Sequence, residues 1–145
     1  MTFLISITLP GAPRGKGRPR FRVIGKGKKQ FVSTYTDAET RKYEDALKAA
    51  GALQMGMGEP YDCPLSVKVE AFMPIPASWS LKKQASAAAG EIAAATKPDA
   101  DNIAKMKDAL NGVVWRDDSQ IVSLLVVKRY SRTPMLRIGV WKWFD

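Results

Sequence analysis

The sequence predicts a single-domain α/β (α+β) fold, a mixed β-sheet with helices packed on it. Three observations carry that expectation. Apolar residues alternate with polar ones at Ile5, Ile7 and Leu9, at Leu65, Val67, Val69 and Ala71, and at Leu136, Ile138 and Val140, the period-2 pattern of strands. Tyr43, Ala46, Leu47 and Ala50 recur at i, i+3, i+4 and i+7, one face of a helix. A chain of 145 residues with 46% apolar content suits one buried core, so residues 1–145 are expected to form one domain.

The elements follow in order. After the first strand, Pro10 to Arg20 is rich in Gly and Pro and reads as a loop. Phe21–Ile24 and Gln30–Tyr35 read as the arms of a hairpin around Gly25 and Gly27. Thr36 followed by Glu39 makes a capping box for the helix bearing Tyr43 and Leu47, which ends at Gly51 or at the Gly56/Gly58 pair. The strand from Leu65 to Ala71 is stopped by Pro74 and Pro76, and Ser80 caps a short Ala-rich helix reaching about Ala89. Small residues from Gly90 to Thr96 form a loop, and Pro98 holds Lys97 extended. A helix is expected from about Asn102 to Asn111, with Ile103, Met106 and Leu110 inward and Gly112 in the C′ position. Val113 to Trp115 reads as a short strand and Asp117–Asp118 as a turn. The almost continuous apolar run from Ile121 to Val127 predicts a central strand covered on both faces. In the last strand, Trp141 and Trp143 lie on the face opposite Ile138 and Val140.

Charge and composition narrow the chemistry. A net charge of +9 favours a phosphate-rich partner. Eight cations and no acid lie between Arg14 and Lys29. There Arg14, Lys16, Arg18 and Arg20, spaced by Gly and Pro, are candidate phosphate contacts, although such a run is a solvated loop in most proteins. The chain has no histidine, so the commonest general base and zinc ligand are absent. Its one cysteine, Cys63, forms no internal disulfide or paired-Cys metal site and reads as a structural thiol. The N-terminus has no signal-peptide pattern and no stretch is long enough to span a membrane, which points to the cytoplasm and to no membrane partner.

Against this basic background, five of fourteen acids, Asp99, Asp101, Asp108, Asp117 and Asp118, fall within one short stretch. Clustered carboxylates repel one another unless a cation lies between them, and Mg²⁺ or Mn²⁺ with oxygen ligands is the usual resolution. An acidic metal pocket in a polycationic protein points to hydrolysis of a phosphodiester. Asp99 and Asp101 are two apart, so on an extended segment both side chains point the same way; the plainer alternative is that one of them caps the following helix. Of Asp117 and Asp118, adjacent at a strand end, one would enter the pocket, and a plain turn is the alternative. Lys105 is one helical turn beyond Asp101, placed either to offset charge on the phosphate or to form a solvated i, i+4 pair. Lys97 is a candidate phosphate contact, Asp108 a helix-surface residue, and Glu70 a strand residue that could border the pocket.

Taken together, Gly15-Lys16-Gly17-Arg18-Pro19-Arg20, Tyr35-Thr36, Ala77-Ser78-Trp79-Ser80, Lys97-Pro98-Asp99-Ala100-Asp101-Asn102, Asp108-Ala109-Leu110-Asn111-Gly112 and Asp117-Asp118-Ser119-Gln120-Ile121 resemble, in order, the RusA-type Holliday junction resolvases. These are small homodimeric endonucleases of bacteria and phages. The resemblance implies a Mg²⁺-dependent nuclease that cuts four-way DNA junctions, with essential aspartates at Asp99, Asp101 and Asp118 and a functional lysine at Lys105. The chain departs from the family in two places: two residues, not three, separate Lys105 from Asp108, and Ile92 to Thr96 has no basic residue where some members carry several. Two other readings remain. A non-catalytic DNA-binding protein with a structural acidic cluster would bind unchanged or better as Asp101→Asn. A nucleotide-sugar transferase using a DxD site would bind nucleotide sugar, and the chain lacks the Gly-rich βα unit such binding uses.

Overall fold

The computed structural model describes residues 1–17, 20–35 and 37–144, with side chains except at 20 and 33–35. Four strands form one mixed sheet in the order β1 (Thr2–Pro10), β6 (Met135–Lys142), β4 (Leu65–Pro74), β5 (Ile121–Ser131). β6 runs antiparallel to both β1 and β4, and β4 and β5 are parallel. A parallel pair needs a long crossover. Here that crossover, from Pro74 to Ile121, contains α2 (Leu81–Ala88), α3 (Ala100–Ala104) and nearly all of the acidic motif. The hairpin of β2 (Arg20–Ile24) and β3 (Phe31–Tyr35) is a separate two-stranded sheet.

The predicted alternation appears directly in β4, where Leu65, Val67, Val69, Ala71 and Met73 are buried and the residues between them are not. These side chains meet Ile5 and Ile7 of β1, Leu136, Ile138 and Val140 of β6, and Leu47, Ile103, Met106 and Leu110 from the helical segments. Burying each of these Val, Leu, Ile and Met side chains contributes about 1.5–3 kcal/mol. The helix α1 (Ala38–Met55) runs through Gly51 and ends at Gly56, whose φ of 58° with ψ of −123° is a backbone conformation open to glycine and not to residues with a Cβ. Gly51 is there for packing: a Cβ at this position would lie 2.7 Å from Leu110 Cδ2. Leu47 fills the core from the predicted stripe, with Tyr43 and Ala50 partly buried and Ala46 exposed. The cap is Asp37, whose side chain accepts from the Thr40 amide at 2.9 Å; Thr36 lies outside the described residues. Ser80 caps α2 as expected, accepting from the Lys83 amide at 3.2 Å.

Three expectations are corrected. Among the described residues β5 is an edge strand, paired only to β4, and Val122, Leu124 and Leu125 are exposed. Flanking strands cover a strand's edges and packed layers cover its faces; both are set by the tertiary fold, and a continuous apolar run carries no information about either. The segment from Asn102 to Asn111 is not one α-helix. α3 begins at Ala100, ends at Ala104 and passes into a 3₁₀ helix over Lys105–Leu110, although Ile103, Met106 and Leu110 all face the core and Gly112 follows with φ 78°. Val113–Trp115 is a turn closed by single bridges, Tyr61 to Trp115 and Asn111 to Trp115, rather than a strand. The buried Trp115 donates its indole N–H to Asn111 Oδ1 at 2.6 Å, which fixes that turn.

Candidate active site

The acidic motif meets the basic loop at a cleft of about 440 Å³ lined by Pro13, Arg14, Gly15, Gly17, Lys97, Pro98, Asp99 and Asn102. Two contacts hold the loop there. The Lys16 amide donates to the Asn102 carbonyl at 2.9 Å. Gly15 lies so close to the motif that a Cβ on it would fall 2.6 Å from Pro98 Cβ and 3.0 Å from Asn102 Cβ. Only a residue without a side chain permits that approach. The Lys97–Pro98 peptide bond is cis.

Asp99 is the N-cap residue of α3 in extended conformation, yet its side chain makes no capping hydrogen bond. Asp101 is already in the first helical turn, so the alternation argument for an extended pair does not apply: the helix starts two residues earlier than its apolar stripe suggests. Both carboxylates are exposed. Neither has a hydrogen-bonding or ion-pair partner among the described residues, so the capping alternative for Asp99 is not realised. Lys105 does not pair with Asp101; its Nζ donates to Asn102 Oδ1 at 3.3 Å, toward a residue that lines the cleft. Lys97 is exposed on the cleft wall.

The two adjacent aspartates have different roles. Asp117 caps a 3₁₀ turn, Asp118–Gln120, accepting from the Ser119 amide at 3.0 Å, while Gln120 accepts from the Asp117 amide at 2.9 Å. Those hydrogen bonds to Ser119 hold the Asp117 carboxyl below its ordinary value of 3.8. Gln120 also donates to the carbonyls of Tyr61 at 2.8 Å and Cys63 at 3.0 Å, fixing the turn to the entry of β4. Asp118 is left exposed on this braced turn, immediately before β5. Among the described residues, no three acidic or thiol side chains stand close enough to hold a metal ion together.

The expected phosphate contacts divide. Arg14 pairs with Asp37 at 3.3 Å and donates through Nε to Thr40 at 3.3 Å, and Lys16 pairs with Glu44 at 3.3 Å. Both cations therefore hold the loop against α1, a role that isolated sequence positions could not reveal. Arg18 lies outside the described residues, and Arg20 opens β2. Beside this loop, burial pushes the Tyr43 phenol up to about 12, with the Arg14 backbone offsetting part of the shift. Glu70 sits within β4 on the side away from the buried residues, held by Arg137 at 3.1 Å, Arg129 at 3.6 Å and Lys68 at 3.7 Å, and does not line the cleft. Asp108 pairs with Lys107 at 3.1 Å, as a helix-surface residue should.

The crossover of the mixed sheet thus brings Asp99 to a cleft it shares with Arg14 and Lys97, whereas Asp101, Lys105 and Asp118 do not line it. Residues 10–141 match the endodeoxyribonuclease RusA family, and the chain belongs to that family. It is also 37% identical over 139 residues, 94% of each chain, to the uncharacterized protein YqaN of Bacillus subtilis (strain 168). No helix among the described residues is long and apolar enough to cross a membrane.

Proposed function

We propose that this chain is a Mg²⁺-dependent, structure-selective endodeoxyribonuclease that resolves four-way DNA junctions as a homodimer in the cytoplasm, serving recombination and repair. The observation that carries the reading is exposed, uncommitted Asp99 lining a cleft with Lys97 and the Gly15 loop, with exposed Asp101 two residues on in the first turn of α3, in a chain of the RusA family.

The residues fit the metal. Asp99 and Asp101 supply hard oxygen donors with no competing partner among the described residues, and magnesium commonly takes only one or two carboxylates, completing its shell with water and phosphate oxygens. Asp99 and Asp101 would hold it, with Mn²⁺ as a substitute, and Asp118, which forms no three-acid cluster with them among the described residues, would be the third carboxylate by resemblance to the family alone. When bound, such an ion lowers the pKa of water and stabilises the leaving oxygen of a phosphodiester. The chain's own residues do the positioning. Lys97 attracts a phosphate into the cleft, and Lys105, oriented by Asn102, offsets charge as it builds on the phosphate. Asp117 and Gln120 keep Asp118 at a fixed place at the head of β5.

The test is cleavage of a labelled mobile four-way junction, against linear duplex, in Mg²⁺ or EDTA. Wild type should make symmetric, metal-dependent nicks. Asp101→Asn should lose at least a hundredfold in rate while still binding the junction, since only a metal-holding carboxylate is removed. Junction binding by wild type without cleavage in Mg²⁺ or Mn²⁺ would instead establish a non-catalytic DNA-binding protein.

A further inference from the structure

The hairpin of β2 and β3 is built unlike the rest of the molecule. Its strands pair Phe21 with Thr34, Val23 with Val32 and Ile24 with Phe31, so Phe21, Val23 and Val32 share one face. That face is open: Phe21 is 69% exposed, Val23 64% and Val32 65%. Phe31, on the reverse face, is 57% exposed. Among the described residues the two strands pack mainly on each other, not on the body. A lone two-stranded hairpin is marginal in water, and one that presents apolar side chains lacks the cover that would stabilise it.

Charge identifies the cover. The hairpin's tip carries Lys26, Lys28 and Lys29, all exposed, and the first acid in the whole chain is Asp37, beyond the second strand. In a protein of net charge +9, two such tips brought together would repel, whereas a polyanion would be drawn to them. The hairpin's root is also fixed near the cleft. Gly17 lines it and β2 begins at Arg20, so the chain allows at most about 11 Å between their Cα atoms.

We propose that this hairpin is a DNA-engaging arm whose Phe21–Val23–Val32 face packs on bases exposed at a branch point, while the lysine tip follows the adjoining phosphates. The apolar face is what separates branched from linear DNA. An intact duplex presents mainly polar base edges in its grooves, but a branch interrupts stacking and offers the flat apolar faces of bases to such a wedge. A two-stranded ribbon is also narrow enough to enter the major groove, so the tip can reach phosphates without moving the body. This inference rests on the branched-DNA reading above and names the element that selects the branch.

The experiment measures equilibrium binding in EDTA to a four-way junction carrying 2-aminopurine beside the branch point, and to linear duplex of the same arms. It compares wild type, Phe21→Ser/Val32→Ser, Phe21→Leu and Lys26→Ala/Lys28→Ala/Lys29→Ala, each checked for sedimentation and thermal unfolding. In wild type, binding should raise the 2-aminopurine fluorescence. The double serine variant should lose that rise and at least tenfold of its junction affinity, with a smaller change on duplex. Phe21→Leu should retain the junction preference, and the triple alanine variant should weaken both substrates and flatten the salt dependence. An unchanged junction-to-duplex ratio and fluorescence in the double serine variant would overturn the arm while leaving the branched-DNA reading intact. Loss of self-association in that variant would overturn it in favour of a second copy as the occupant. Failure of wild type to bind either DNA would instead remove the branched-DNA reading itself.

Discussion

At Asp117 and Asp118, one residue of separation divides structure from chemistry. Asp117 is committed to a reciprocal cap with Gln120, whereas Asp118 is exposed and unpaired among the described residues. Asp118→Asn should therefore leave the unfolding temperature within a degree of wild type and reduce junction cleavage by two orders of magnitude or more, if it acts as the third carboxylate. Asp117→Ala should open the turn and slow cleavage only in part, and Asp117→Ser, which can still cap, should recover most of the loss. The depressed Asp117 pKa sets the acid limit of this brace. Its contribution is complete above the ordinary value of 3.8 and fades only as pH falls through the lower folded value, so the Asp117 cap is undiminished at neutral pH. Gly15 is a second single-residue determinant. Gly15→Ala puts a methyl 2.6 Å from Pro98 Cβ, forcing the basic loop away from the motif. Overpacking of this kind costs about 1–3 kcal/mol. Cleavage should fall at least tenfold, measured beside urea unfolding, because the cleft wall moves.

The N-terminus of α1 organises the loop that faces the cleft. Asp37 accepts from the Thr40 amide and hydroxyl and pairs with Arg14, while Glu44, two turns into the helix, pairs with Lys16. Asp37→Ala removes a helix cap, worth about 1 kcal/mol, together with a half-buried ion pair worth about as much. Urea unfolding should register a loss near that sum. Junction cleavage should fall further than stability alone explains, because Arg14 loses the group that orients it. The elements also show what hydropathy can reveal. Period-2 patterns located β1, β4 and β6, the helical stripe with its terminal glycines located α1, and the Ser80 cap located α2, because each depends on neighbours in sequence. β5 was misplaced because edge or centre is a property of the sheet, and its residues Val122 to Val127 read alike in either place. The passage from α3 into a 3₁₀ helix at Lys105 was equally hidden, since Ile103, Met106 and Leu110 satisfy the helical stripe in both geometries. Of the site, the residue types and their order were legible. The clamp between Gly15 and Pro98 and the ion pairs of Arg14 and Lys16 were not, because they join segments some twenty to ninety residues apart in sequence.

For the whole molecule, symmetry connects the fold to the substrate. A four-way junction resolves only if two strands of like polarity are cut, and one chain has one Asp99–Asp101 pair. A twofold pair of chains matches two equivalent cuts, since a closed isologous dimer presents the same cleft twice. The net charge of +9 per chain raises the rate of encounter with DNA and makes binding sensitive to salt, but it does not distinguish one cut from two. Subunit mixing does. A supercoiled plasmid with an extruded cruciform becomes linear if both strands are cut before the protein leaves, and merely nicked if one is cut. Wild type should give mostly linear product. An equimolar mixture with Asp101→Asn, equilibrated to exchange subunits, should form about half mixed dimers, and these can cut only once. The nicked fraction should rise to a maximum near equal proportions and fall again as the inactive chain predominates. A chain acting alone would show no such maximum: the ratio of nicked to linear product would then simply follow the concentration of wild type.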